Sequence, residues 1–280
     1  MNDFIRERVC FYSSVLKGKN STWEIARSAV EHGVAGIELM NFSSDFQSPD
    51  MAFAKEIGAF AKQNGLKLPC FSCAVNFAQN PKEGLSYIKR YADICSELEI
   101  PFLHHTLIME WEYASVVGRE EGLLELAVEC ALELNEYAKG KGVQTLVEEQ
   151  GYVVNGVERY SSFVKKTGGK IGVLFDTSNI MFLDETPEAF YRAFPQVSHV
   201  HIKDFKRSER PLEEGSYQSV SGQYLTECAY GEGVVKMDLL AKELKKNDYK
   251  GYFSSECPPC ESDEAVKNML EKIAFSFGER

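Results

Sequence analysis

The 280-residue sequence has no run of 18 apolar residues, so it offers no helical segment that could span a bilayer. Its opening stretch, Met1-Asn2-Asp3-Phe4-Ile5-Arg6-Glu7-Arg8, lacks the apolar core of a secretory signal. A cytoplasmic location is the resulting expectation. A basic surplus is also missing. Only 31 Lys and Arg stand against 42 Asp and Glu, a formal net charge of −11. That argues against a nucleic-acid partner, which calls for a basic footprint, but leaves room for a small anionic substrate held by a few local cations. No GxGxxG follows the first apolar run, which disfavours a doubly wound dinucleotide fold. Linkers and low-complexity segments are absent, and a single domain over residues 1–280 is expected. Histidine is scarce, with five residues, whereas cysteine is not, with eight. In a reducing compartment those cysteines are expected to be thiols. Two pairs, Cys70–Cys73 and Cys257–Cys260, have CxxC spacing but no nearby histidine, so a zinc ribbon is not expected.

What is present is an alternation of short apolar runs and amphipathic segments from end to end. Strands are expected at 8–13, 35–40, 66–74, 100–105, 142–148, 170–176, 197–205 and 251–256. Helices follow each of them, at about 21–32, 48–63, 82–98, 122–139, 156–165, a short one beginning at 186–188, 237–246 and 263–275. Ser21 and Glu24 form a capping box, Gly33 stops the helix it opens, and Thr186-Pro187 is a cap followed by proline in the first turn. Eight repeats within 280 residues describe an α/β fold, a (β/α)8 TIM barrel. Two connections are long for such a fold, 106–121 and 205–235, and both fall on the side where barrels carry their sites.

Four of the apolar runs end on chemistry. The fifth ends at Glu148, with Glu149 beside it, the sixth at Asp176 and the eighth at Glu256. The seventh reads Val197-Ser198-His199-Val200-His201-Ile202-Lys203-Asp204-Phe205, and strand alternation puts His199, His201 and Lys203 on one face. Taken alone, that stretch also fits a half-exposed edge strand with solvated polar groups. Asp176 follows Glu148 by 28 residues, His201 follows Asp176 by 25, and Glu256 follows His201 by 55, the last gap containing a long loop. Barrel closure would bring the strand tips to one mouth. Two glutamates, an aspartate and an imidazole form a ligand set for a divalent ion: Mn²⁺, Mg²⁺, Co²⁺ or Zn²⁺. Alternation puts Glu148, with Leu146 and Gln144, on the face opposite Glu149, which favours Glu148 as the ligand.

Gly36-Ile37-Glu38-Leu39, Leu146-Val147-Glu148, Phe175-Asp176-Thr177-Ser178-Asn179, His199-Val200-His201-Ile202-Lys203-Asp204, Gly231-Glu232-Gly233 and Ser255-Glu256 occur in this order. As a set they resemble the sugar phosphate isomerase/epimerase superfamily of xylose isomerase-like TIM barrels, the AP endonuclease family 2. The resemblance implies metal ligation by Glu148, Asp176, His201 and Glu256. It further implies that Glu148 and Glu256 flank the substrate, one removing a proton beside a carbonyl and the other returning one, while the metal stabilises an enediolate. An isomerase or epimerase of a sugar, sugar phosphate or polyol ketone is the expectation, with an inosose-type dehydratase or a non-catalytic sugar-binding barrel as alternatives. An endonuclease IV-like nuclease is disfavoured by the five histidines and the acidic charge. Where related epimerases carry a substrate-orienting histidine, this chain has Asn179, and Arg207 lies where some carry a substrate-contacting arginine.

The remaining candidates each carry a bland reading as well. His199 is expected in the pocket, as a substrate contact or a hydrogen-bonded neighbour. His105 and His104 end the fourth strand; one should face the mouth, and His105 is taken as the substrate contact. Lys203 either meets a carboxylate or phosphate or is solvated, and Arg207 is either a contact or a surface residue. Glu38 is expected to line the pocket. Trp23 reads as helix core, whereas Trp111 lies in the first long loop and could wall the pocket. The sequence leaves homo-oligomerisation open and indicates no membrane partner.

Overall fold

The computed structural model describes residues 2–13 and 15–278. A parallel sheet in the order of the chain curls into a barrel. Its staves are Val9–Phe11, the segment 36–40, Cys70–Cys73, Phe102–His105, Gln144–Glu148, Gly172–Asp176, Val197–Ile202 and Phe253–Ser255. The second stave is broken at Glu38 into Gly36–Ile37 and Leu39–Met40. Its first half pairs with stave one and its second half with stave three, and the circle closes through that break. The break is narrow: the Glu38 amide donates to Phe11 O at 2.9 Å and the Ile37 amide to Lys67 O at 3.0 Å. Gly36 is required there, because a Cβ would run into the Lys67 main chain.

Helices surround the barrel close to where the apolar periodicity puts them. Thr22–His32 opens with the Ser21–Glu24 capping box and ends on Gly33 at φ 59°. Pro81–Glu97 and Pro187–Ala193 begin on a proline behind the caps Asn80 and Thr186. Glu120–Lys139, Val157–Lys166, Met237–Lys246 and Asp263–Phe277 complete the outer ring with Met51–Gln63. Their buried faces and the outward side chains of the strands form one continuous apolar core. A short helix Asp3–Arg8, capped by Asn2, precedes the first stave. It is too short for periodicity to reveal. No helix among the described residues is long and apolar enough to cross a membrane. All eight cysteines are free thiols.

Alternation along the staves decides what fills the barrel. Cys70, Leu146 and Leu174 form a small apolar plug with Phe102. Two residues further along the same strands come Ser72, Glu148, Asp176 and His104, so the interior turns polar towards its C-terminal end. The two long connections lie over that end. The second is a three-stranded antiparallel sheet, Phe205–Ser208, Tyr217–Gln218 and Tyr224–Glu227. Tyr217 packs on Trp111 of the first connection at 5.5 Å and on Phe182 at 5.2 Å between ring centroids. Tyr152 donates its hydroxyl to Gln218 O, and the Val220 amide donates to Phe182 O at 2.9 Å. Connections after four successive staves are thereby clasped into one cover.

Candidate metal centre

Glu148, Asp176, His201 and Glu256, from staves five and six, stave seven and just beyond stave eight, come together at the polar end of the barrel. One donor atom from each lies within 4.8 Å of all the others. Glu148, Asp176 and His201 are buried, and Glu256 is partly open, with 21% of its side chain exposed. Asp176 is oriented by its own turn: Oδ1 accepts the Ser178 and Asn179 amides, both at 2.8 Å, which leaves Oδ2 for the cluster. His201 Nδ1 lies 3.0 Å from Glu256 Oε2 and 3.8 Å from Glu148 Oε2. Glu256 is held by its amide, which donates to Ile202 O at 2.9 Å.

Behind His201 runs a second buried network. His201 Nε2 lies 3.0 and 3.1 Å from the two oxygens of Glu38. His199 Nε2 lies 2.8 Å from Glu38 Oε2 and 2.8 Å from Ser254 Oγ. Ser72 donates to Glu38 and lies 2.7 Å from His104 Nδ1. Glu38 therefore sits beneath the cluster, where a carboxylate fixes the ring orientation of His201, instead of lining the mouth; it is only 1% exposed. Of the two adjacent histidines, His104 joins the cluster, its Nε2 lying 3.7 Å from Glu148 Oε1. His105, expected as a substrate contact, points the other way: its ring packs edge-on to Phe77 and its Nδ1 lies 3.0 Å from Thr106 O. One step along a strand reverses the face, and that parity excludes His105.

Lys203 is buried, with Nζ 2.7 Å from Glu256 Oε1, 3.7 Å from Asp176 Oδ2 and 3.4 Å from Asn179 Oδ1. Thr177 braces it, donating to Lys203 O and accepting from its amide. Asn179 is buried beside it, and its Nδ2 has no partner. Arg207 is exposed on the antiparallel sheet and faces Asp184 at 3.5 Å, away from the cluster. Glu149 is fully buried with both carboxylate oxygens unpartnered, on the face opposite Glu148. Tyr12 was not foreseen; its ring stacks on His201 with centroids 4.6 Å apart. The alternation Cys10, Tyr12 along the first stave was the signal that could have found it. The Gly231-Glu232-Gly233 motif serves the cover. Asp204 accepts the amides of Gly231, Gly233 and Val235 at 3.0–3.2 Å, and a Cβ on Gly233 would collide with that carboxylate.

The electrostatics of the cluster are uneven. Burial, reinforced by Glu256, pushes Glu148 up to about 8. Burial would also raise Glu256, but Lys203 and His201 bring it down to about 2. Burial works against the His201 imidazolium, yet Glu38 and Glu256 hold it well above the ordinary histidine value. Burial, with His201 alongside, drives His104 well below that value. Burial raises Asp176, with Lys203 pulling the other way. Three carboxylates this close need a cation or protons between them. Glu148 Oε2 and Asp176 Oδ2 are buried without a hydrogen-bond partner. Three oxygen donors and one imidazole nitrogen suit Mg²⁺, Mn²⁺, Co²⁺ or Zn²⁺.

The family model for the xylose isomerase-like TIM barrel matches residues 26–275. An inosose dehydratase of Bacillus cereus (strain AH820) is 26% identical over 181 residues, which is 62% of this chain. The match spans 56% of that relative's own length. Among solved structures, D-psicose 3-epimerase from Clostridium cellulolyticum H10, determined with D-tagatose, superposes with a TM-score of 0.75 at 15% identity, covering 96% of this chain and 99% of that one. A xylose isomerase-like TIM barrel protein from Mycobacterium smegmatis in complex with magnesium gives a TM-score of 0.68 at 16% identity, covering 96% of each chain. At these identities the solved structures bear on the fold alone.

Proposed function

Because the chain belongs to the xylose isomerase-like TIM barrel family, we propose that it is a divalent-metal-dependent isomerase or epimerase. Its substrate would be a small sugar, sugar phosphate or polyol ketone, and the reaction would proceed by removing a proton beside a carbonyl. The observation that carries this reading is the meeting of Glu148, Asp176, His201 and Glu256 within 4.8 Å at the barrel mouth. These four would hold the ion, with Glu38 orienting His201 from behind. When bound, a divalent cation would supply Lewis-acid polarisation of the substrate's carbonyl and hydroxyl oxygens.

Proton transfer falls to the chain's own groups. Glu148 and Glu256, both in the cluster, are the groups placed to take the proton from carbon and to return one to the neighbouring carbon or the opposite face. Asn179 keeps a free amide donor for a substrate hydroxyl. The clasped loops would keep water from the carbanion.

The likeness to an inosose dehydratase favours a second reading, in which the same base starts loss of water from a cyclic polyol ketone. Metal analysis of the purified protein, followed by incubation with ketoses and inososes in D₂O, separates the readings. Deuterium at exchangeable carbon with unchanged composition supports the isomerase, and loss of one water by mass supports the lyase. Stoichiometric metal with neither outcome would leave a sugar-binding barrel without catalysis.

A further inference from the structure

Ser72 and His104 are register partners on staves three and four, and a count of donors and acceptors around them fixes where the protons lie. Glu38 is the reference point. Its carboxylate oxygens face His199 Nε2 at 2.8 Å and His201 Nε2 at 3.0 and 3.1 Å, and they also take the hydroxyl proton of Ser72. A serine hydroxyl has a single proton to give. With that proton committed to Glu38, Ser72 Oγ can only accept from His104 Nδ1, 2.7 Å away. The hydrogen of the His104 ring is therefore on Nδ1. A second proton on Nε2 would find no acceptor within hydrogen-bond reach, so Nε2 is a bare lone pair.

His104 is 2% exposed, and none of the described residues serves that lone pair. What it faces is another acceptor, Glu148 Oε1, at 3.7 Å, too far for a shared proton. The other Glu148 oxygen, Oε2, is turned towards the cluster, 3.8 Å from His201 Nδ1. Once Glu148 ligates an ion through Oε2, two acceptors look at each other across a gap. That arrangement is unfavourable until a donor enters it. Asn179 Nδ2 is the complementary case, a buried donor without an acceptor.

From this accounting we infer that His104 is an acceptor-only recognition point of the site: its Nε2, kept bare by the Ser72–Glu38 relay, takes a hydrogen bond from one hydroxyl of the substrate beside the ion. The inference rests on the isomerase reading and adds a specificity-determining residue to it. A substrate with a hydroxyl at that position is preferred to one with hydrogen there, because the latter leaves the lone pair buried and unserved.

Two measurements test it, and the first needs no ligand. Long-range ¹H–¹⁵N correlation spectra of metal-free protein labelled at its histidines, assigned with His104→Phe, should show His104 neutral with its hydrogen on Nδ1. A hydrogen on Nε2 in the unaltered protein overturns the inference whatever the reaction is. The second is calorimetric binding to Mn²⁺-loaded protein of D-fructose, D-tagatose and an inosose, each beside analogues in which one hydroxyl at a time is replaced by hydrogen. One analogue of a bound ketone should lose about tenfold or more in affinity. In His104→Phe that penalty should shrink to about twofold or less while the penalties for the other hydroxyls stay, and His104→Gln, whose Oε1 can stand where Nε2 stood, should bring back about fivefold or more. Unchanged penalties in His104→Phe overturn the inference. So does uptake of a second Mn²⁺ that His104→Phe abolishes, since a cation would then fill the gap, and so does Mn²⁺ uptake without binding of any of the three ketones. Failure to take up Mn²⁺ would sink the isomerase reading and this inference together, whereas Mn²⁺ uptake and ketone binding indifferent to His104 would sink the inference alone.

Discussion

Thermal unfolding of the chelator-treated protein with and without Mn²⁺ provides a sharp test of the centre, because the two adjacent glutamates of the fifth stave give opposite expectations. An ion that binds only the folded chain at one hundred times its Kd adds about 2.7 kcal/mol. With an unfolding entropy of about 2.1 cal/mol/K per residue, 280 residues give about 0.6 kcal/mol/K, so Tm should rise by about 5 °C. Glu148→Gln keeps the shape but removes a ligand charge. If affinity falls about a hundredfold, the same Mn²⁺ concentration adds only about 0.4 kcal/mol and the rise shrinks below about 1 °C. Glu149→Gln changes a side chain that is just as buried but faces away, with both oxygens unpartnered, and the full rise should remain. Differential scanning fluorimetry of the three proteins, with calorimetric Kd values, decides the matter. An equal loss in both variants would show that the strand face is wrong. No rise in the unaltered protein with any of the four candidate ions would refute the centre itself.

Three further outcomes are expected. Metal affinity should rise with pH, since Glu148 held at about 8 must lose its proton to ligate; between pH 6 and pH 8 the gain from this group alone is about fiftyfold, checked by calorimetry in buffers of different ionisation enthalpy. Acid weakens binding in this scheme, and affinity that is flat or falling over that window would contradict it. Glu38→Gln removes the carboxylate against which His201 and His199 are oriented, so Mn²⁺ affinity should fall by about 10–100-fold although Glu38 is not a ligand. Gly233→Ala forces a Cβ onto the Asp204 carboxylate and should open the 231–235 loop. Hydrogen exchange there should accelerate while Tm changes by less than about 2 °C, because the loop lies outside the main core.

Much of the barrel was legible because each repeat carries both periods, two in the strand and 3.6 in the helix, with caps at the joins. Ser21–Glu24, Gly33 and Thr186-Pro187 act in the fold as their chemistry dictates. The convergence of Glu148, Asp176, His201 and Glu256 was legible for the same reason, since barrel closure turns sequence spacing into proximity. The sense of the fourth stave was not. Two histidines in a row end it, and only the register against Ser72 and Leu146 decides which one faces inward. Nor was the depth of Glu38 readable: alternation gives the face, whereas the distance down the barrel is set by the stagger of neighbouring strands. The antiparallel cover was hidden because its strands are short, polar and glycine-punctuated, and their pairing is long-range.

The polar interior bears on why this barrel has a centre at all. A middle layer of Ser72, Glu38, His199 and Ser254 costs more to bury than the apolar plug below it, unless every polar atom finds a partner. The hydrogen bonds among these residues supply those partners. The layer above is different: Glu148 Oε2, Asp176 Oδ2, His104 Nε2 and Asn179 Nδ2 are all buried without a hydrogen-bond partner. Within the barrel interior the satisfied layer sits on the plug side and the unsatisfied one on the mouth side, so the interior shortfall has a direction, although Glu149 outside it is also unpartnered. A fold held only for its stability gains nothing from leaving acceptors and donors unmatched at one end. A fold that held an ion and a substrate there would leave them, and would need the rigid layer beneath to keep His201 aimed. Replacing that lower layer should therefore cost metal affinity before it costs the fold.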